Sequence, residues 1–143
     1  MNVLLSIKPE FVRMIFSGDK RYEYRRVSFA ENHVRRVFVY ASAPVKKIVG
    51  EIEVDEVLSD TPHAVWRLTS EGGGVSERFF FQYFSGRNTA HAIRIKSTEQ
   101  YDAPLDPYEA VDGFRPPQSF QYLRDGELLD KLTRRASGRL RVG

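Results

Sequence analysis

Gly18-Asp19-Lys20-Arg21-Tyr22-Glu23-Tyr24-Arg25 reads as a helix stop followed by a short strand. Upstream, Pro9 opens a helix at the position where its missing N–H costs nothing. Phe11, Val12, Ile15 and Phe16 then form an apolar stripe that Gly18 closes. Downstream, a strand over 20–26 puts Glu23 and Arg25, two residues apart, on one face. That face offers a carboxylate acceptor beside a planar donor fork, a combination suited to a base edge or a phosphate. By itself such a pair reads equally as a surface ion pair worth about 0–1 kcal/mol. Lys20 is three residues from Glu23, so it joins that face only through a bulge or a strand that starts after it. Tyr22, Tyr24 and Arg26 take the opposite face, expected as barrel core capped by a charge.

Further strands are expected at Val3–Ile7, at Arg36–Ser42 (apolar on both faces, hence central) and at Ile48–Leu58. In the last, Ile48, Ile52 and Val54 share one face, leaving Glu51, Glu53 and Asp55 on a face that is either wet or the site. Thr61-Pro62 starts a helix through Val65, Trp66 and Leu68. Gly72-Gly73-Gly74 lacks the Gly-Lys-Ser/Thr of a phosphate loop and reads as a flexible joint between two helices. Ser76 caps the next helix, whose Phe79, Phe80, Phe81, Tyr83 and Phe84 are expected to be mostly core, and Gly86 ends it. Ala90–Lys96 returns as a strand. Turn formers over 97–117 predict a wrapping loop, then a last helical piece from Gln118. Short strands with two helical inserts make an α+β chain organised as a small mixed barrel.

The 143 residues suit one domain, expected over 1–130, with 131–143 a basic, flexible tail. Zero cysteines exclude disulfides and thiolate chemistry, and His33, His63 and His91 lack metal-ligand spacing. No metal and no cofactor are expected. No apolar run is long enough to span a bilayer, and the N-terminus lacks the marks of a signal peptide, so the expected location is the cytoplasm. The net charge of +3 is unevenly spread. Residues 1–50 carry ten basic and four acidic side chains, 51–130 seven and fifteen, and 131–143 five and none. Such a dipolar chain does not by itself imply a nucleic acid.

The stretch 18–25 has the form Gly-x-Lys-x-x-Glu-x-Arg and resembles the signature of ASCH domains. Tyr40-Ala41-Ser42-Ala43-Pro44, Val49-Gly50-Glu51, Tyr83-Phe84-Ser85-Gly86, Ala90-His91-Ala92-Ile93 and Pro116-Pro117-Gln118-Ser119-Phe120 are similar to segments of the family's larger members, in order. The resemblance implies a PUA-like barrel, a small mixed β-barrel with flanking helices, and a cleft that accepts RNA, a nucleotide or a modified nucleoside. Lys20, Glu23, Arg25, Ser42, Lys46, Gln118 and Ser119 are the candidate binding residues. Lys46 and Lys47 read either as a solvated edge or as phosphate contacts. Gln118 and Ser119 read either as ligand contacts or as a helix cap.

An RNA- or nucleotide-binding domain without chemistry, reading one base or a short single strand of RNA in the cleft by hydrogen bonds and stacking, in RNA metabolism or in translation or transcription regulation, is the first functional reading. A small hydrolase is the alternative, a ribonuclease or an amidohydrolase of the N4-acetylcytidine type, with Lys20 as base or nucleophile and Glu23 as proton shuttle. The acetylcytidine enzymes carry Lys-x-x-Thr where this chain has Lys20 and Glu23, and their further glutamate has only Glu71 or Glu77 as possible counterparts. A third reading has the acidic stretch Glu51–Glu56 meeting a protein partner.

Overall fold

The computed structural model describes residues 1–29, 33–124 and 126–142, with residues 135–142 described by backbone alone. The chain runs β1 (Asn2–Ile7), α1 (Pro9–Ser17), β2 (Tyr22–Arg25), β3 (Arg36–Ala41), β4 (Lys47–Asp60), α2 (Pro62–Thr69), a 3-10 turn (Ser70–Gly72), α3 (Glu77–Tyr83), β5 (Ala90–Leu105), α4 (Pro107–Ala110), β6 (Phe120–Leu123) and α5 (Glu127–Val142). Six strands form one sheet in the order β2-β5-β4-β3-β1-β6. Its neighbours are antiparallel except β1 and β3, which run parallel. The sheet curls into a half-barrel flanked by helices, an α+β fold as expected. Among the described residues, no helix is long and apolar enough to cross a membrane.

β1 and β3 are covered on both faces, which is why they read as continuous apolar runs. Val3, Leu5 and Ile7 pack with Val37 and Val39 against Val12 and Ile15 of α1. Leu4, Phe38 and Tyr40 pack on the other side with Ile48, Leu123 and Leu132. A third cluster sets α2 and α3 against β2 and β5 through Tyr24, Val65, Phe80, Phe84 and Ala92. The caps fall where the sequence places them: Gly18 takes φ +89 after α1, and the Thr61 and Ser76 hydroxyls accept from Ala64 N and Phe79 N.

Several expectations are corrected. The loop expected over 97–117 begins only after Leu105, since β5 runs that far along β4, and it carries the short helix α4. Gln118 opens no helix. The backbone from Phe120 to Leu123 instead pairs with the free edge of β1, and the helix waits until Glu127. α5 runs over Glu127–Val142, and its Leu132 is buried. A register shift between Ile48 and Gly50 sends Ile48 to the opposite side from Ile52 and Val54, because one extra residue reverses the alternation. The acidic face of β4 is also not uniformly wet. Glu51 is buried and accepts from the Tyr101 hydroxyl at 2.6 Å, with Arg36 at 3.5 Å.

Candidate ligand-binding cleft

The turn after α1 aims Lys20 inward. Lys20 N bonds Met14 O, and Arg21 N bonds Gly72 O, so the segment is stitched to both α1 and the glycine joint. β2 starts only at Tyr22, and this late start lets the odd-spaced Lys20 meet Glu23. The Lys20 side chain is 2% exposed. Its Nζ donates to Gly73 O at 2.7 Å, stands 3.8 Å from Glu23 Oε1, and lies 4.7 Å and 5.2 Å from the ring centroids of Tyr24 and Phe11. Burial pushes the ammonium pKa below its ordinary value, while the charge of Glu23 pulls it back up.

Glu23 is likewise buried, with Oε2 held by Arg25 Nη1 at 3.2 Å. Its Oε1 is buried without a hydrogen-bond partner, an unmet acceptor capacity of the kind that calls for an explanation. Arg25 Nη1 also donates to Ser6 O at 3.1 Å, and Nη2 donates to Ser119 Oγ at 2.8 Å. Both terminal nitrogens are therefore engaged within the protein, and the fork serves as a tie before it can serve a ligand. Lys20 and Glu23 leave the larger opportunity: an ammonium with donors to spare beside a carboxylate oxygen that receives no hydrogen bond, both shielded from bulk water.

These groups border a cleft of about 530 Å³, within the range of small-molecule sites. Ser6, Ser42 and Gln118 add polar atoms to its lining, while Phe11, Tyr24, Val75, Phe79 and Tyr83 add apolar surface. Lys8 and Arg26, both exposed, also border it. Of the expected binding residues, Lys20, Glu23, Arg25, Ser42 and Gln118 thus share one hollow. Ser119 reaches it by way of Arg25. Lys46 sits exposed in the turn before β4, at φ +55, and is not among the lining residues. Glu71 and Glu77 are exposed and outside the lining, so neither supplies a second carboxylate to the cleft.

Sequence reasoning missed two parts of this site. The glycine joint is packed, not loose: Gly72 and Gly73 are buried, and a Cβ on Gly73 would overlap the ring and hydroxyl of Tyr24. Its carbonyl holds the lysine, and no local signal announces a contact that spans 53 residues. The second part is the pair Phe79 and Tyr83 on α3, whose i, i+4 spacing was available as a signal but was merged with the buried Phe80 and Phe84. Among the described residues, no three His, Asp or Glu side chains are grouped to hold a metal ion.

A curled mixed half-barrel, with a charged pair sunk in a cleft beside its flanking helices, is the class of protein that fold and site define. The chain belongs to the ASCH domain family, whose model matches residues 5–100. It is 28% identical over 130 residues to the ASCH domain-containing ribonuclease of Zymomonas mobilis, covering 87% of this chain and 85% of that one. The crystal structure of ASCH from Zymomonas mobilis superposes with a TM-score of 0.83 at 27% identity, covering 92% of this chain and 94% of that one. Over 124 residues the chain is also 29% identical to the large ribosomal subunit protein uL22 of Ureaplasma parvum, covering 85% of this chain and 39% of that much longer relative. The chain thus spans well under half of that relative's length.

Proposed function

We propose that the cleft binds RNA or a nucleotide, taking a base edge on Lys20 and Glu23, and that the protein does this in the cytoplasm. The observation carrying this reading is the convergence of Lys20, Glu23 and Arg25 on one hollow, with Glu23 Oε1 buried, 3.8 Å from the Lys20 ammonium and receiving no hydrogen bond. An exocyclic amine supplies the donor that Oε1 lacks, and a ring nitrogen or carbonyl accepts from the ammonium. The similarity to a relative named a ribonuclease supports RNA as the source of that base. Fluorescence titration with short single-stranded oligo(A), oligo(C) and oligo(U) at low salt tests it, since phosphate contacts weaken as salt rises. Oligo(A) and oligo(C) should bind more tightly than oligo(U), and Glu23→Gln should erase the difference. No binding to any RNA or nucleoside would remove the proposal.

RNA cleavage is the second reading, favoured by the relative named a ribonuclease. In it the neutral Lys20 amine accepts the proton of a ribose 2′-hydroxyl as that oxygen attacks the neighbouring phosphorus; the bond to the 5′-oxygen breaks, and Glu23 relays the proton to that departing oxygen, leaving a 2′,3′-cyclic phosphate and a free 5′-hydroxyl. The burial that lowers the Lys20 pKa makes the neutral amine more accessible near neutral pH. Gel analysis of single-stranded RNA incubated with the protein decides the point. Intact RNA rules out cleavage, and equal cleavage by Lys20→Ala rules out this base.

A further inference from the structure

Helix α3 and the residue after it carry five aromatic side chains, and the fold sorts them by face. Phe80 and Phe84 are buried, pressed edge-on against Tyr24. Phe81 leans on Trp66 and His63. Phe79 and Tyr83, one turn apart, take the remaining face and line the cleft. Phe79 is 38% exposed. Its ring lies nearly parallel to that of Tyr83, at 9° with centroids 6.2 Å apart.

This strip is braced at both ends. Phe11 meets Phe79 edge-to-face, with centroids 5.7 Å apart at 71°. Arg26 sets its guanidinium 4.3 Å from the Tyr83 ring centroid and donates from Nε to Tyr83 O at 2.8 Å. An exposed phenylalanine alone means nothing. Here the exposed ring borders the same hollow as a buried ammonium and a buried carboxylate oxygen that receives no hydrogen bond. A hollow with a π-face and a polar edge together matches an unstacked nucleobase, which offers both at once. A base inside a duplex has its faces covered and its edge paired.

We propose that Phe79, backed by Tyr83, forms the stacking face for one base of a single-stranded RNA, while Lys8 and Arg26 take the adjoining phosphates. This rests on the RNA-binding reading above and names the residues that grip the strand. Stacking on one aromatic face accounts for roughly a fivefold to hundredfold share of affinity in single-strand binders.

The test measures binding of a short single-stranded oligoribonucleotide carrying a fluorescent adenine analogue to the wild type, Phe79→Leu, Phe79→Tyr and Glu23→Gln. Circular dichroism checks that each variant is folded. Phe79→Leu keeps the apolar bulk without the π-face and should weaken binding about fivefold or more, while Phe79→Tyr should stay within about twofold of wild type. The analogue should be quenched on binding to the wild type and much less with Phe79→Leu. An analogue that stays bright on the wild type overturns the stacking proposal even if every variant misfolds. Phe79→Leu binding as tightly as wild type, with Glu23→Gln weakened, overturns stacking and leaves the cleft reading standing. A free nucleoside or a duplex bound as tightly as the single strand overturns the assignment to single-stranded RNA. A wild type that binds no RNA at all overturns both.

Discussion

Arg25 Nη2 donates to Ser119 Oγ at 2.8 Å, a contact spanning 94 residues that ties the two ends of the sheet together. β2 is one edge of the sheet, and β1 with β6 forms the other; among the described residues no backbone ladder joins them. Arg25 bridges the gap from β2 to Ser6 O and Ser119 Oγ while keeping Glu23 on its near side. The cleft lies beside this seam, so the residue that closes the half-barrel also orients the buried carboxylate.

Arg25→Lys should therefore cost about 1–3 kcal/mol of stability although the charge is kept, because a point ammonium cannot serve three acceptors from one planar fork. Urea denaturation measures it. An unchanged midpoint would mean the seam holds without the fork.

Gly73→Ala should destabilise the protein by about 1–3 kcal/mol and disturb the Lys20 contact as well. The added methyl would come within 2.8 Å of Tyr24 ring carbons that are already packed against Phe80. Gly86→Ala at φ +76 meets no atom within 4 Å and is strained only by its backbone, so it serves as the comparison. Equal melting temperatures for Gly73→Ala and wild type would show the joint to be loose.

Stability should depend on pH through Lys20. Burial holds its folded pKa below the ordinary lysine value of 10.5, against the opposing pull of Glu23. Between those two values the unfolded chain holds the proton that the folded protein has released, so stability rises with pH in that window. Below the folded value both states carry the charge, and the penalty for burying it is at full size. The difference in unfolding free energy between Lys20→Met and wild type should accordingly drift in favour of wild type as pH climbs toward 10.5. A difference that stays flat across the window would contradict the lowered value.

Tyr101→Phe should cost about 1–3 kcal/mol and leave RNA binding untouched. It strips the 2.6 Å donor from the buried Glu51, which lies outside the cleft lining. Loss of RNA affinity in a stably folded Tyr101→Phe protein would mean that the acidic stretch of β4 takes part in binding.

The sequence alone was enough for the elements whose causes are local. Pro9 and Gly18 bracket α1, Thr61 and Ser76 cap α2 and α3, and the two-sided apolar run of Arg36–Ala41 marks a central strand. The Gly-x-Lys-x-x-Glu-x-Arg stretch also named Lys20, Glu23 and Arg25 of the cleft lining, though not Lys8 or Arg26. Phe120–Leu123 was misread because an edge strand of four residues forms only where β1 offers unpaired backbone groups to meet it. Ile48 changed faces because a bulge is a property of two strands in register, not of one. The Gly73 carbonyl on Lys20, the Arg25 tie to Ser119 and the exposed face of Phe79 are likewise contacts between segments far apart in the chain. Propensity and periodicity act over a turn or a strand, so only the closed tertiary structure could decide which distant backbone atom completes a buried charge.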